Sequence, residues 1–334
     1  MRRKRARGAA LLTALVIVSV VATLAAAMVW QQWRAVQVES AERARTQSAW
    51  ILAGALDWAR LILREDARTS GRNPVDHLGE PWAVPLAEAR LSTFLAAEAQ
   101  VADDGPDAFL SGSITDATAK LNLGNLINFG GTPNPVWIAA LQRLCVTVGV
   151  SADVATRIVA GLRAASASGA PASGASGVAA ADVPLTPQTV EQLAWLGIEP
   201  EAIRALEPYV IFLPKAGSNT QTMVNVNTAS REVLAAVIEG LDVATAERLI
   251  QVRQRTPFRD VPDLKAQLGT LPDTAYDRTT AVSSEWFEVR GRLRLDSVVL
   301  EQKSLVQRVN NTVQTMRRER ASSRDADLSQ AIAK

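Results

Sequence analysis

The sequence predicts an α+β fold, in which a long N-terminal helix packs on a small antiparallel sheet and a large helical domain is inserted between the strands. Three observations predict this fold. An uncharged apolar run over residues 9–30 continues as a helical pattern to about residue 66. Glycine-centred helical repeats occupy the middle of the chain. Alternating apolar and polar residues, which are typical of strands, lie on both sides of that helical block.

The chain begins with a basic leader of residues 1–8, which contains five basic residues and no acidic one and ends at Gly8. About 20 apolar residues cross a bilayer as a helix, so residues 9–30 are predicted to be transmembrane. Basic residues favour the cytoplasmic side, which places the rest of the chain on the other side. A cleaved secretory signal is the alternative, because alanines such as Ala25 and Ala27 could form a cleavage site. The length of the run and the helical pattern that continues to residue 66 favour the membrane helix.

Composition argues against several classes of protein. The formal net charge is +2, and removal of the five basic leader residues leaves −3, which does not suit binding of nucleic acid through bulk charge. Cys145 is the single cysteine and lies in an apolar stretch, so we expect a buried, inert thiol. His77 is the single histidine, so a Cys/His zinc site or catalytic pair is not expected.

Three segments in the middle of the chain share one spacing. Each has an apolar helical stretch, a glycine, a tight turn and a second helix, and the three glycines are Gly149, Gly197 and Gly240. A glycine after the last turn and a polar cap before the next helix are typical of helix–hairpin–helix (SAM-like) units. The predicted caps are Ser151, Glu199 and Asp242. In the third unit, Asn227 or Thr228 is predicted to begin the first helix, and Asp260 to precede a further one.

Helix–hairpin–helix loops can bind DNA by offering backbone N–H groups to phosphate. Here Glu239 and Asp242 flank the third glycine and would repel a phosphate. Nearby basic residues are offset by a similar number of acidic ones; the basic set is Arg248, Arg253, Arg255 and Arg259. A structural role for the hairpins is therefore favoured over DNA binding.

Strands are predicted over residues 108–115, 119–123, 284–295, 297–309 and 312–318. The predicted sheet-containing parts are residues 67–124 and 276–320, and the inserted helical domain is residues 125–275.

Within that domain, residues 164–181 are rich in Ala, Ser and Gly and predict a flexible linker. The polar tail 321–334 is predicted to be disordered. Four tryptophans are expected to be core or domain-packing residues rather than a ligand platform: Trp82, Trp137, Trp195 and Trp286.

A short basic leader that ends in glycine before a long apolar helix resembles the type IV pilin family. The resemblance implies cleavage by prepilin peptidase between Gly8 and Ala9. Most members have a glutamate five residues after the cut, where this chain has Thr13. A subunit without this carboxylate does not need the amino terminus of a neighbour as its partner.

The absence of that glutamate is typical of one branch, the K-type minor pseudopilins of type II secretion. This chain resembles that family along nearly its whole length: in the leader, in the strand 112–116 that leads into 121–126, in the hairpin 224–258, and in the strand 283–287. The resemblance implies a non-enzymatic subunit, anchored in the inner membrane with its soluble part in the periplasm. It would form a tip complex with the I- and J-type minor pseudopilins and help to initiate assembly. The sequence pattern of the third hairpin also resembles the DNA-binding hairpin of competence proteins. A membrane-anchored pseudopilin that contacts DNA is therefore the alternative.

The acidic loop formed by Asp103, Asp104 and Asp107 is a candidate calcium site. Hard oxygen ligands suit this ion, and K-type pseudopilins can bind it. The spacing does not fit an EF-hand, and acidic loops are commonly only solvated.

We predict that prepilin peptidase cleaves the Gly8–Ala9 bond and leaves the apolar helix on the mature protein, because the basic leader directly precedes an unbroken apolar run. Sequencing of the mature N-terminus is expected to begin at Ala9. A terminus beyond about residue 25 would instead identify an ordinary signal peptide.

Overall fold

A computed structural model describes residues 9–71, 74–91, 108–128, 131–167, 185–214, 221–269, 271–295 and 298–324. The chain divides into two units, one ending at Gly54 and the other beginning at Ala55. The predicted fold class is confirmed: a long N-terminal helix, an antiparallel sheet and an additional helical domain are all present.

Helix α1 (Ala9–Thr69) is the longest element. Among the described residues, one helix is long and apolar enough to cross a membrane, and its most apolar stretch buries none of its residues within the protein. The absence of proline from this whole segment favours a continuous helix.

The sheet has five strands in the order in which they occur along the chain. They are β1 (Leu86–Arg90), β2 (Ala108–Asp116), β7 (Trp286–Leu295), β8 (Val298–Val309) and β9 (Thr312–Arg324). All neighbours pair antiparallel. The last residue of β2, Asp116, lies directly opposite Phe287 at the start of β7. The helical domain is therefore inserted between two adjacent, paired strands.

Within the second unit, the last turns of α1 pack on one face of this sheet. Leu56, Ala59 and Leu63 are buried there against Trp82 and Phe287. The two aromatic rings meet edge to face, with centroids 5.2 Å apart. Burial of each large apolar side chain contributes roughly 1.5–3 kcal/mol, so this contact fixes the end of the helix on the sheet.

The helical domain has six α-helices and several short 3₁₀ turns in its described part. The helices are α2 (Pro135–Thr147), α3 (Ala152–Ala167), α4 (Pro200–Leu206), α5 (Arg231–Val237), α6 (Val243–Arg255) and α7 (Val261–Leu268). The 3₁₀ turns near and within it are Ala117–Ala119, Leu123–Leu126, Glu191–Leu196 and Asp273–Ala275. Two short parallel pairs complete it: β3 (Leu121–Asn122) with β4 (Val210–Ile211), and β5 (Val224–Asn225) with β6 (Thr280–Ala281). One continuous apolar core, from Leu121 to Tyr276, holds these elements together.

The hairpin glycines have the backbone conformation that the repeat predicts. Gly149, Gly197 and Gly240 have φ of +77°, +73° and +81°, in the left-handed region that favours glycine. Asp242 caps α6, because its side chain accepts a hydrogen bond from the Thr245 N–H. Glu199 precedes α4 but makes no capping bond with its side chain, so Pro200 begins that helix without one.

Two strand predictions differ from the structure. The predicted strand 119–123 is wrong: only Leu121–Asn122 is extended, and it pairs with β4 in the helical domain. Asp116 and Asn122 each cap a 3₁₀ turn, so these turns replace the strand. Strand β1 was not predicted, because its five edge residues do not alternate clearly between apolar and polar.

Boundary predictions differ at four places. The third hairpin begins at Ser230, which caps α5, because Asn227 instead bonds to the backbone of Phe258. Residues 164–167 of the predicted linker belong to α3, and the linker residues from 168 lie outside the described residues. The helical core begins at Leu121, before the predicted boundary at 125. Strand β9 extends to Arg324, into the predicted tail, and residues 325–334 lie outside the described residues.

Three of the four predicted core tryptophans are buried, namely Trp82, Trp137 and Trp286. Trp195 is not a core residue, because its side chain is 50% exposed. It lies on a 3₁₀ turn whose inward positions are taken by Leu193 and Leu196.

Candidate functional site: the hairpin loops and the domain junction

The third hairpin loop uses its own carboxylate where a DNA-binding hairpin would need free N–H groups. Asp242 accepts hydrogen bonds from the Thr245 N–H at 2.7 Å and from the Thr245 hydroxyl at 3.0 Å. The backbone bond from Thr245 lowers the pKa of Asp242, so the group is a carboxylate at neutral pH. A phosphate at this helix end would have to displace a bound negative charge.

Three of the four arginines singled out in this unit are engaged within the protein. Arg253 is buried and donates to the Val226 carbonyl, and burial lowers its pKa to about 10. Arg248 donates to the Thr245 hydroxyl at 2.8 Å, and Arg259 pairs with Asp263 at 2.9 Å. These three positive charges near the loop are therefore engaged in contacts within the protein.

The first two hairpins are joined by an ion pair. Arg157 of α3 donates two bonds of 2.8 Å to the Glu199 carboxylate, before α4. This bidentate pairing holds the pKa of Glu199 at about 2. The predicted cap of the second hairpin is therefore the partner of an arginine in the first.

The helical domain meets the sheet at a buried polar cluster, which we call the junction cluster: Asp76, Asp116, Asn225, Ser284 and Arg308. Each of the five is less than one tenth exposed. Asp116 lies at its centre, where β2 ends. Its carboxylate accepts from the Asn225 amide at 3.0 Å and from the Ser284 hydroxyl. It also accepts from the Thr228 hydroxyl, and from the N–H and hydroxyl of Thr118.

Arg308 of β8 forms the other half of the junction cluster. Its guanidinium pairs with Asp66 at the end of α1 and with Asp76 in the loop that follows. It also donates to the Ser284 carbonyl at 2.9 Å and lies 4.8 Å above the Phe287 ring. Burial of such charges is tolerated because each one is paired and hydrogen-bonded.

Three carboxylates near this point, those of Asp66, Asp76 and Glu80, bring oxygen atoms within 4.8 Å of one another. Arg308 pairs with the first two, and Glu80 accepts from the His77 N–H at 3.0 Å and from the Trp82 indole at 2.6 Å. Protein donors therefore engage all three carboxylates, which is the arrangement of an ion-paired structural cluster. Burial is the main cause that raises the pKa of Glu80 to about 7, and the nearby carboxylates contribute.

Several residues singled out in the sequence lie outside the described residues. They are Gly8 and the calcium candidates Asp103, Asp104 and Asp107. Ala9 begins α1. Thr13 lies in that helix and its hydroxyl donates to the Ala10 carbonyl at 3.3 Å.

The single cysteine is buried as predicted. Cys145 is fully buried in the helical core, and burial raises the pKa of its thiol to about 11. The Nδ1 atom of His77 accepts from the Gly79 N–H. Neither residue belongs to the junction cluster.

Sequence reasoning missed the junction cluster. Its members are far apart in the chain, and no spacing rule connects them. One signal was available: Arg308 interrupts a strand in which Leu305 and Val306 are apolar. A charged residue in a buried strand implies a partner, although not which one.

Two family models match the chain, and both are described as type II secretion system (T2SS), protein K. They cover residues 119–215 and 224–282. These ranges contain all three hairpin glycines.

Relatives of the same name match almost the whole chain. The type II secretion system protein K of Pseudomonas aeruginosa is 29% identical over 307 residues, which is 88% of this chain and 86% of the relative. That of Pectobacterium carotovorum subsp. carotovorum is 29% identical over 343 residues, which is 95% of this chain and 97% of the relative.

A solved structure has the same fold. It is a chain in the crystal structure of the GspK–GspI–GspJ complex from the enterotoxigenic Escherichia coli type 2 secretion system, with a TM-score of 0.63 and 20% identity. The match covers 85% of this chain and 99% of that chain.

The hairpin geometry predicts weak binding of duplex DNA, with a Kd no tighter than roughly 10⁻⁶–10⁻⁴ M at physiological salt. Fluorescence anisotropy with the detergent-solubilised protein measures this. Arg248→Glu combined with Arg255→Glu removes exposed charge without touching the buried Arg253. Submicromolar binding that this double variant abolished would favour the competence-type alternative.

The half-buried Glu80 carboxyl predicts a specific pH dependence of stability. Its folded pKa of about 7 lies above the unfolded value of 4.5, so the folded state binds more protons between these values. The contribution of this carboxyl to the free energy of unfolding is complete below about pH 4.5, and it is lost as the pH rises through about 7. Glu80→Gln keeps an acceptor for Trp82 but removes the titration.

We expect the stability of the wild type relative to Glu80→Gln to fall by about 1 kcal/mol between pH 5 and pH 8, after allowance for solvent screening. Thermal unfolding of both proteins across this range measures it. Parallel curves would show that the Glu80 carboxyl is ionised throughout.

Proposed function

The chain belongs to the type II secretion system protein K family, and from this premise we propose that it is a non-enzymatic minor pseudopilin at the tip of the type II secretion pseudopilus. In this role it initiates assembly of the fibre with I- and J-type minor pseudopilins and so aids protein export across the outer membrane. The observation that carries the proposal is the helical domain inserted between adjacent strands of a sheet on which the last turns of the long helix α1 pack.

The polar side chains of the apolar helix support a subunit with no neighbour above it. The hydroxyls of Thr13, Ser19 and Thr23 each donate to a carbonyl of the same helix three or four residues earlier. Polar groups within a bilayer are costly unless they are hydrogen-bonded. A glutamate at position 13 would need a charged partner from another subunit, whereas Thr13 needs none.

The size of the helical domain supports an end position. The domain has its own core from Leu121 to Tyr276, and it is fixed to the sheet by the junction cluster. If the protein repeated along a thin fibre, the helical domain of each copy would have to fit beside the neighbouring subunits. A single copy at one end of the fibre avoids this steric conflict.

The membrane arrangement follows from the N-terminal helix. The basic leader stays on the cytoplasmic side of the inner membrane, and the soluble part lies in the periplasm. Trp30 and Trp33 are 63% and 59% exposed. Trp30 ends the apolar run and Trp33 follows it, at the depth where aromatic residues favour the lipid headgroups. Prepilin peptidase is the enzyme expected to process the leader.

The chemistry of the described residues supports a structural role. The Cys145 thiol is buried with a raised pKa, and the hairpin carboxylates disfavour nucleic acid. Calcium binding at Asp103, Asp104 and Asp107 remains part of the proposal.

We predict that the full-length protein forms a complex with its I- and J-type partners that contains one copy of each. Native mass spectrometry of the three co-expressed proteins, released from detergent, measures the stoichiometry. Deletion of the gene is expected to impair secretion, whereas Thr13→Glu is expected to change it little, because the bulk of the helical domain still prevents incorporation along the shaft.

Labelling of assembled fibres tests the position. Regular spacing of this protein along the fibre shaft would contradict the tip proposal. Failure to bind either partner would contradict the pseudopilin assignment itself.

A further inference from the structure

The two edges of the sheet are built differently. Strand β1 has five residues, and its pairing with β2 is irregular between Leu86 and Ala89. Strand β9 has 13 residues, more than twice the common length of about 5–6. A long edge strand presents a row of N–H and C=O groups that can pair with another chain.

Only the start of the β9 edge is covered within the described chain. Arg60 of α1 donates to the Val313 carbonyl from Nε at 2.9 Å and from Nη2 at 2.7 Å. A bulge follows, because Leu305 pairs with Arg317 while Val306 pairs with Thr315.

Beyond the bulge, residues 317–324 pair with β8 without interruption. Among the described residues, no hydrogen bond from another element reaches the backbone of this run on its outer side. The run is longer than an average strand, so it could carry a complete additional strand.

The charge of this run selects its partner. It contains four arginines and one glutamate. Arg317 is engaged by Glu319 and by the Gln188 carbonyl. Arg318 and Arg320 are exposed, and Arg320 also donates to the Gln302 side chain of β8 at 3.1 Å. Opposite charges on adjacent strands stabilise pairing, and like charges oppose it.

We propose that residues 317–324 of β9 form a docking edge, onto which an acidic, extended segment of a partner pilin-like subunit adds as a further strand. This inference rests on the proposed pseudopilin function. A second copy of this chain does not suit the edge, because pairing of β9 with itself would bring its arginines together.

The test uses the full-length protein in detergent, titrated with purified I-type and J-type subunits separately. Arg318→Glu combined with Arg320→Glu is expected to weaken binding to one of them by about tenfold or more. The matched control is Arg248→Glu combined with Arg255→Glu, which changes the net charge equally on α6 and is expected to bind as the wild type does. Arg318→Ala combined with Arg320→Ala provides a milder variant if the double reversal does not fold.

Hydrogen–deuterium exchange distinguishes strand addition from simple charge attraction. Amides in residues 317–324 are expected to exchange more slowly when the partner is bound. Unchanged affinity of both edge variants, or unchanged exchange in this run, would overturn the docking edge while the pseudopilin function stands. A homodimer that protects the same amides would overturn the choice of partner. If the wild type binds neither subunit, the proposed function fails and the docking edge fails with it.

Discussion

The position of the helical domain on the sheet depends on one buried carboxylate. Asp116 ends β2 and accepts five hydrogen bonds, two from Thr118 and one each from Asn225, Thr228 and Ser284. A buried carboxylate without such donors would be very unfavourable. Since the donors come from the chain just after β2, from the helical domain and from the segment before β7, all three must be in place together. The domain is thus held by direction-dependent bonds in addition to apolar contact.

The rest of the junction follows from this constraint. Asn225, which donates to Asp116, also donates to the Asp76 carbonyl. Asp76 in turn pairs with Arg308 of β8. One network therefore connects the helical domain, the central strands and the end of the long helix. Loss of any member would leave another buried group without its partner, which typically costs more than the bond itself contributes.

Local features of the fold could be predicted from the sequence, because each one follows from a pattern among neighbouring residues. The long apolar run predicted α1, alternation predicted β7 and β8, and the glycine spacing predicted turns at Gly149, Gly197 and Gly240. Features that depend on distant residues could not be predicted in this way. The sequence alone could not show that Leu121–Asn122 would pair with β4 rather than with the sheet, because the partner is about 90 residues away.

The same distinction between neighbouring and distant residues applies to the candidate sites. The hairpin carboxylates are visible in the sequence because they adjoin the glycines, and the structure adds that Asp242 caps its own helix. The burial of Arg253 was not visible, since its partner is the backbone of Val226. The junction cluster had one local signal, the charged Arg308 in an apolar strand, and that signal did not identify its partners.

The pairing of Asp116 opposite Phe287 has a consequence for how the chain folds. Without the helical domain, β2 and β7 would be joined as an ordinary hairpin. With it, the two strands must close one of the longest loops in the molecule, and closure of an unfolded loop of that length is entropically unfavourable and slow. The two ends of the helical domain meet where the Thr118 and Ser284 hydroxyls form a hydrogen bond of 2.8 Å, and β5 from the middle of the domain pairs with β6 beside them. Folding of this domain therefore shortens the effective loop, so that the sheet can form after the domain rather than before it.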